Sequence, residues 1–138
     1  MLNKFNMKDA KLVGTPLAAH FKLSTELCPS DDKEKEEMSK IPYASSVGSL
    51  MYAMVCTRLD IAYSVGVVSR FLANLGKQHW QIVKWILRYL KGTSHYCLCF
   101  GHDETLLKGF IDADMAGDMD TRKSTTGYLY TFADAAVS

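Results

Sequence analysis

The stretch from Gln78 to Lys91 constrains the fold most strongly, because its apolar residues recur at helical intervals. The stripe and the aromatic residues beside it are Ile82, Val83, Ile86, Leu87 and Leu90, with Trp80, Trp85 and Tyr89. A pattern with this period predicts an amphipathic helix that buries one face against other elements. Gly92 follows directly, so we expect the helix to stop there.

Two further helices are predicted just before this stretch. The first follows Pro42 and carries the apolar residues Val47, Leu50, Met51 and Met54. The second is expected to start at Thr57, because Thr57 as N-cap and Asp60 three residues later have the spacing of a capping box. Its apolar positions are Ile61, Val65, Val68 and Leu72. Three amphipathic helices in succession predict a small helical bundle.

A row of cations lies on the other side of the last predicted helix. Lys77, Lys84, Arg88 and Lys91 are seven, four and three residues apart, so at about 100° per residue they fall in one narrow row. A basic row beside aromatic residues is able to follow a phosphate backbone. The alternative is an ordinary solvated face whose cations complement the helix dipole.

The residues before the helices are less regular. Residues 1–12 carry a few apolar positions at near-helical spacing and resemble the end of a helix, which stops at Gly14. Residues 24–40 are polar and highly charged, with almost nothing to bury. This composition predicts a solvated loop or linker.

After the helices, the chain is expected to form a strand, an acidic turn and a second strand. The runs Leu106 to Ile111 and Thr126 to Phe132 have strand-like composition. Asp112 and Asp114 follow the first run, and alternate residues of a strand share a face. Two neighbouring carboxylates suit a hard cation such as Mg²⁺. The alternative is a solvated acidic turn at a strand end.

Composition limits the broad class of protein. With 138 residues and a net charge of +1, the chain has no global field that attracts nucleic acid, so binding would depend on local patches. No apolar run reaches the roughly 20 residues that span a bilayer, and no secretory signal is evident, so we expect an intracellular protein without membrane partners. The four cysteines include a Cys97-x-Cys99 pair but no second pair at zinc spacing, and we expect reduced, partly buried thiols.

Several multi-residue motifs resemble one family in order and spacing. They are Tyr43-Ala-Ser-Ser-Val-Gly-Ser-Leu-Met-Tyr52, Thr57-Arg-Leu-Asp-Ile-Ala62, His79-Trp80, Leu87-Arg-Tyr-Leu-Lys-Gly-Thr93, and Asp112-Ala-Asp-Met-Ala-Gly-Asp-Met-Asp-Thr-Arg-Lys-Ser-Thr-Thr-Gly-Tyr128. This succession resembles the Pol polyproteins of copia-type retrotransposons, in particular the Tnt type of plants. The resemblance covers nearly the whole chain.

The resemblance implies a position within the polyprotein and a fold. Residues 1–23 would be the tail of the reverse transcriptase at the junction of palm and thumb, and 24–40 a charged linker. Residues 41–94 would form a thumb-like three-helix bundle, and 95–138 the truncated first strands of RNase H. The expected fold class is therefore α+β, with the bundle followed by a small, incomplete antiparallel sheet of RNase H type.

The resemblance also implies that catalysis by this chain alone is not expected. The Tyr-x-Asp-Asp turn of the family's polymerase does not occur in the sequence. The family's RNase H binds two Mg²⁺ ions through several carboxylates. Asp112 matches the first of them, as a vestigial ligand, and Asp114 is a weaker candidate. One ligand of several is not expected to hold Mg²⁺ tightly.

Two departures from the family pattern fall at turns. Leu59 replaces a proline that is preorganised for a helix start. Asp134 and Ala135 replace a Gly-Gly turn, where glycine adopts positive φ more readily. Together with an unfinished sheet, these departures point to decay of the ancestral function.

Two kinds of function follow. The first is binding of an RNA–DNA hybrid or a DNA duplex through the basic row of Lys77, Lys84, Arg88 and Lys91. The second is a non-enzymatic module that self-associates or pairs with an intact Pol chain through the open sheet edge; a degenerate remnant with no selected activity is the third interpretation. The parent elements work in cytoplasmic particles and deliver DNA to the nucleus. The cytoplasm and the nucleus are therefore the compartments that the resemblance implies.

Overall fold

The chain forms two compact units that meet after His95 in the sequence. A computed structural model describes residues 2–21, 23–97, 99–101, 106–114, 118, 120–133 and 135–137. The first unit is helical and the second contains an antiparallel sheet. This architecture confirms the predicted α+β class.

The helical unit contains four α-helices in its described part. They are α1 (Asp32–Ser39), α2 (Tyr43–Cys56), α3 (Ala62–Ser69) and α4 (Lys77–Gly92). Short 3-10 turns lie at Leu2–Phe5, Thr25–Leu27 and Leu59–Ile61. Among the described residues, no helix combines the length and the apolar character needed to cross a bilayer.

One core holds α2, α3 and α4 together. Among the described residues, the apolar side chains that are at most 1% exposed are Val47, Leu50, Ile61, Val65, Val68, Ile82, Val83, Ile86 and Leu87. All of them were predicted from helical periodicity to face the core. Met51 and Leu72 belong to the same predicted stripes but remain exposed. Helix α3 ends at Ser69, so Leu72 lies beyond the helix that was predicted to include it.

Helix α1 lies where the composition predicted a solvated loop or linker. Its charged residues are exposed or half-buried, and Met38 near its end is buried. Asp32 and Glu34 in the first turn favour helix formation through the dipole, and Lys35 pairs with Asp32 one turn away. One buried residue is too little to give an apolar period, which is why the sequence pattern did not reveal this helix.

The start of the second predicted helix differs from the expectation. Thr57 is the C-terminal cap of α2, its N–H donating to the carbonyl of Ala53. The next helical residues form a 3-10 turn from Leu59 that leads into α3. The predicted capping box at Thr57 is therefore wrong, and the Asp60 carboxylate bonds to Arg58 instead.

The sheet unit has strand order β1-β2-β3, with antiparallel pairing throughout. The strands are β1 (Leu107–Asp114), β2 (Thr125–Phe132) and the short β3 (Ala135–Ala136). Leu107 lies opposite Phe132, and Asp114 opposite Thr125. Ala133 adopts φ 46° at the turn into β3, a conformation that costs a residue with a side chain about 1 kcal/mol. The departure noted at Asp134 falls outside the described residues.

Candidate nucleic-acid interface

Helix α4 carries the candidate interface, and its N-terminus is fixed by two features. The Gly76 N–H donates to Nδ1 of the buried His79 at 2.9 Å, which satisfies a donor at the helix start. A Cβ atom at Gly76 would overlap the carbonyl oxygen of Leu27. The glycine therefore lets the Thr25–Leu27 turn approach α4 closely. The face of α4 that lies opposite the basic row packs into the core.

Lys77 lies at the first position of α4 and points toward acidic residues of α1. Its Nζ lies 3.7 Å from a carboxylate oxygen of Glu34 and 3.4 Å from one of Glu37. Two carboxylates around one ammonium group make this end of the row locally acidic. Of the four predicted cations, Lys77 is therefore the least suited to meet a phosphate.

Arg88 and Lys91 hold an N-terminal segment against α4. Arg88 Nε donates to the carbonyl of Lys11 at 2.5 Å, and Lys91 Nζ to that of Ala10 at 2.8 Å. Nearby, Trp85 Nε1 donates to the carbonyl of Thr15 at 2.9 Å. A guanidinium has five N–H donors and an ammonium three. These hydrogen bonds therefore orient both cations and leave further donors for a ligand.

Lys84 and Trp85 complete this part of the row. Lys84 is half-buried, and its ammonium makes no hydrogen bond or ion pair with another described residue. The Arg88 guanidinium carbon lies 5.1 Å from the centroid of the Trp85 ring, within cation–π range. The rings of Trp85 and Phe21 pack edge to face, with their centroids 5.4 Å apart. Lys84, Arg88 and Lys91 are called the α4 cation row below, and Arg88 contacts the packed indole of Trp85.

The α4 cation row has the chemistry of a phosphate contact surface. Cations that bind phosphate oxygens position a duplex without reading its sequence. The structure brings three of the four predicted residues together and gives the fourth, Lys77, other partners. The partners of Arg88 and Lys91 are backbone carbonyls about 80 positions away, at separations of 77 and 81 residues, and sequence periodicity carries no signal for them.

A second polar cluster locks the C-terminal end of α4 to the turn before α3. Arg58 forms two hydrogen bonds to Asp60, with Nε to Oδ1 at 2.9 Å and Nη2 to Oδ2 at 2.7 Å. Nη2 also donates to Thr93 Oγ1 at 2.6 Å, and the Tyr89 hydroxyl donates to Asp60 Oδ2 at 2.7 Å. We call Arg58, Asp60, Tyr89 and Thr93 the Arg58 cluster.

The electrostatics of the Arg58 cluster follow from its hydrogen bonds. The bonds from Arg58 hold the pKa of the Asp60 carboxyl below its ordinary value, and the Tyr89 hydroxyl acts in the same direction. Burial, followed by the bond to Asp60, raises the pKa of Tyr89. The guanidinium lies 5.4 Å from the Tyr89 ring centroid, so the cluster adds a cation–π contact. Sequence analysis assigned Asp60 to a helix cap; the neighbouring Arg58 was the one local signal for this pair.

The two candidate Mg²⁺ ligands, Asp112 and Asp114, both belong to strand β1 of the sheet unit. Asp112 is exposed in β1 opposite Gly127. Asp114 ends the same strand, and only its backbone is among the described features. No group of three or more His, Cys, Asp or Glu side chains within metal-binding reach occurs in the described residues. Binding of Mg²⁺ by Asp112 and Asp114 stays a prediction.

Asp118, farther along the acidic stretch, organises the turn between β1 and β2. Its Oδ1 accepts the N–H of Asp120 at 3.0 Å, and its Oδ2 accepts the Thr121 hydroxyl at 2.7 Å. The N–H of Arg122, which has φ 55°, donates to the Asp118 carbonyl. Such side-chain to backbone bonds are typical of Asx turns. The Asp118 carboxylate therefore stabilises the turn.

Comparison with known proteins shows similarity along the whole chain. The chain is 65% identical over all 138 residues to the retrovirus-related Pol polyprotein from transposon TNT 1-94 of Nicotiana tabacum, and covers 10% of that protein. It is 40% identical over 134 residues, or 94% of its length, to the corresponding polyprotein from transposon RE1 of Arabidopsis thaliana, covering 8% of it.

A shorter relative is covered more fully. This relative is the secreted RxLR effector protein 161 of Plasmopara viticola. The present chain is 47% identical to it over 102 residues, which are 73% of the chain and cover 72% of the effector. The chain thus spans about a tenth of the two Pol polyproteins it matches. No family model and no solved structure matches it.

Proposed function

We propose that this chain, whose relatives include copia-type retrotransposon Pol polyproteins, is the segment of such a polyprotein that runs from the end of the reverse transcriptase, through the thumb, into the start of RNase H. Its retained task is to hold an RNA–DNA hybrid or a DNA duplex. In this proposal the helical unit is the thumb and the sheet unit is the first part of RNase H. The segment has no catalytic role when it is alone.

The position proposed within the polyprotein rests on the motif order and on the two-unit architecture. Similarity to the tobacco polyprotein extends over every residue of both units. The Tyr-x-Asp-Asp sequence is absent from the 138 residues, and Asp112 alone matches the RNase H carboxylate set. In the parent enzyme, Mg²⁺ would supply the hydrolytic chemistry, and this segment would supply binding surface.

The arrangement of the α4 cation row carries the binding proposal. Arg88 and Lys91 are anchored to the carbonyls of Lys11 and Ala10, so little side-chain entropy is lost when their remaining donors meet phosphates. Lys84 lies one turn before Arg88 on the same side of the helix. Three cations that contact phosphates give binding that falls steeply with salt and differs little between sequences.

A fluorescence anisotropy titration tests this function. A labelled RNA–DNA hybrid is titrated with the full chain at low and at near-physiological salt, in parallel with Lys84→Glu/Arg88→Glu. We expect salt-sensitive binding by the wild type and a loss of at least about tenfold in affinity for the double variant. Two reversed charges remove two phosphate contacts and add repulsion, which accounts for this size.

A matched control separates local contacts from net charge. Lys33→Glu/Lys40→Glu makes the same change in net charge on exposed residues in and next to α1. This control variant should bind nearly as tightly as the wild type. Equal losses in the two variants, or no binding by the wild type at low salt, would refute the α4 cation row as a duplex-binding surface.

The edge of the sheet favours a second candidate, association with another chain. Strand β3 pairs only with the end of β2, where Ala136 lies opposite Thr131. In the described part of the sheet, residues 125–129 of β2 therefore lack a neighbouring strand on that side. Open edges invite pairing with a further strand from a second copy or from an intact Pol chain.

Sedimentation velocity distinguishes this candidate from duplex binding. If the edge pairs between copies, the chain will dimerise with rising concentration, and Tyr128→Pro will weaken the dimer because it removes an N–H donor from β2. A monomer at all concentrations that also fails to bind an intact Pol chain would exclude the edge as an interface. Neither outcome depends on the titration with nucleic acid.

A further inference from the structure

The sulfur atoms of Cys97 and Cys99 approach each other in the sheet unit. Their Sγ atoms lie 3.7 Å apart, in hydrogen-bonding contact, and both residues are exposed. The other two cysteines differ. Cys28 donates from Sγ to the carbonyl of Asn74 at 3.2 Å, and Cys56 is exposed on α2. Within the described residues, the Cys97–Cys99 contact is the one sulfur–sulfur contact seen.

We infer that Cys97 and Cys99 form a dithiol site that exchanges with small-molecule disulfides such as oxidised glutathione. This inference goes beyond duplex binding and does not depend on it. Exchange requires an accessible thiolate and, for closure, a second thiol next to the first. Exposure supplies the access, and the 3.7 Å contact supplies the neighbour. A zinc site is a poorer fit, because the described residues offer no third ligand within reach.

The hydrogen bond between the thiols assigns them different roles. It raises the pKa of the Cys99 thiol above its ordinary value, so Cys99 holds its proton more tightly. Cys97 is therefore the sulfur that attacks first, and Cys99 is the resolving thiol.

The reaction balances in two steps. The Cys97 thiolate attacks one sulfur of the disulfide, the mixed disulfide forms, and the first thiolate of the reagent leaves. Cys99 then loses its proton and attacks the Cys97 sulfur, so that the Cys97–Cys99 bond forms and the second thiolate leaves. Two protein thiols are oxidised, and one disulfide is reduced to two thiols, which take up the two protons.

The test uses the full chain and Cys56 as an internal reference. The concentration of oxidised glutathione is raised in steps until Cys56 is modified. Exchange is then stopped with acid, and the masses of the peptides are measured by mass spectrometry. The peptide with Cys97 and Cys99 should lose two hydrogens and carry no glutathione, while Cys56 retains its adduct. A pair that holds two adducts, or stays reduced when Cys56 has reacted, would overturn the inference.

Single variants and an unfolded control test the roles. In Cys99→Ser, Cys97 should retain a glutathione adduct, because the resolving thiol is gone. In Cys97→Ser, Cys99 should likewise retain a glutathione adduct, because no second thiol remains to displace it. Closure of the pair in the folded wild type should be several times faster than in urea. Equal rates would show that the folded structure contributes nothing beyond sequence proximity, and would reject the site.

Discussion

The two units of this chain place their large apolar residues in opposite environments. In the helical unit, Leu50, Ile86 and Leu87 are completely buried. In the sheet unit, Ile111 is 82% exposed and Tyr128 is 65% exposed. The buried apolar residues described there are Ala133 and Ala135, which are small. One unit therefore has a core, and the other presents apolar strands to solvent.

The register of the sheet places one group of its exposed apolar residues on the same face, while the exposed pair Phe110 and Leu129 lies on the other face. Ile111 lies opposite Tyr128, and Gly109 opposite Tyr130, so these pairs project to the same side as Leu107 and Phe132. The described positions on this face carry no charge. An exposed apolar patch of several aromatic side chains is unusual for an isolated monomer. The helical unit should hence be stable without help, whereas the sheet gains most from a covering partner.

A core truncation should produce the largest effect on stability. Leu87→Ala removes a fully buried side chain from α4 and leaves a cavity, so we expect it to lower the free energy of unfolding by about 3 kcal/mol. Tryptophan fluorescence during urea unfolding measures this change, because both tryptophans, Trp80 and Trp85, belong to the helical unit.

The matched truncation in the sheet should have little effect. Ile111→Ala removes a side chain that is 82% exposed, so protection of the β1 amides from hydrogen exchange should change by less than about 0.5 kcal/mol. If Ile111→Ala costs as much as Leu87→Ala, another chain or surface already covers this face, and the contrast between the units fails.

The Arg58 cluster should give the next largest effect, again within the helical unit. Asp60→Asn removes the charge that pairs with Arg58, whose side chain is only 14% exposed, and weakens the Tyr89 bond. The Asp60 side chain is itself 39% exposed, so solvent screening reduces the loss, which we put at about 1.5 kcal/mol at neutral pH. Asp32→Asn is the control: the Asp32 side chain is 99% exposed and that of its partner Lys35 is 51% exposed, so the change should alter stability very little.

Acid should remove the difference between the wild type and Asp60→Asn. The pKa of Asp60 is lowered by folding, so its contribution is present above the unfolded pKa of about 3.9 and is lost as the pH falls through the folded pKa. Urea unfolding at several pH values measures the gap. A gap that stays constant, or grows, below about pH 4 would show that the Asp60 carboxylate does not stabilise the fold through its charge.

Sequence periodicity predicted the helices whose faces are buried and failed where burial is sparse. Helices α2, α3 and α4 each carry several apolar residues at helical spacing, so their existence was visible. Helix α1 buries little beyond Met38 and gave no such period. The Thr57 cap was predicted from a local motif, but the competing bonds of Arg58 to Asp60 and Thr93 determine this turn.

The candidate interface was predicted as a row of cations and not as a set of contacts. Spacing along a helix places Lys84, Arg88 and Lys91 together, because backbone geometry fixes their directions. It does not reveal that Lys77 pairs with Glu37, or that Lys91 binds the Ala10 carbonyl. These partners lie in segments without regular apolar spacing, and only the folded chain brings them near α4.

A pair of glycine substitutions should give the smallest effects and the finest contrast between the units. A Cβ at Gly66 in α3 would meet no atom within 4 Å, so Gly66→Ala should stabilise the helical unit by about 0.5 to 1 kcal/mol. A Cβ at Gly109 in β1 would lie 3.0 Å from Cε1 of the Tyr130 ring, so Gly109→Ala must displace that ring and should lower protection of the β1 amides. If Gly66→Ala stabilises its unit and Gly109→Ala destabilises the sheet, the two environments differ as expected. The helix then tolerates an added methyl because Gly66 lies away from the core, whereas the sheet relies on the Tyr130 ring packed over Gly109. Equal stabilisation in both units would show that Tyr130 does not pack on Gly109, and that the sheet face is looser than its register implies.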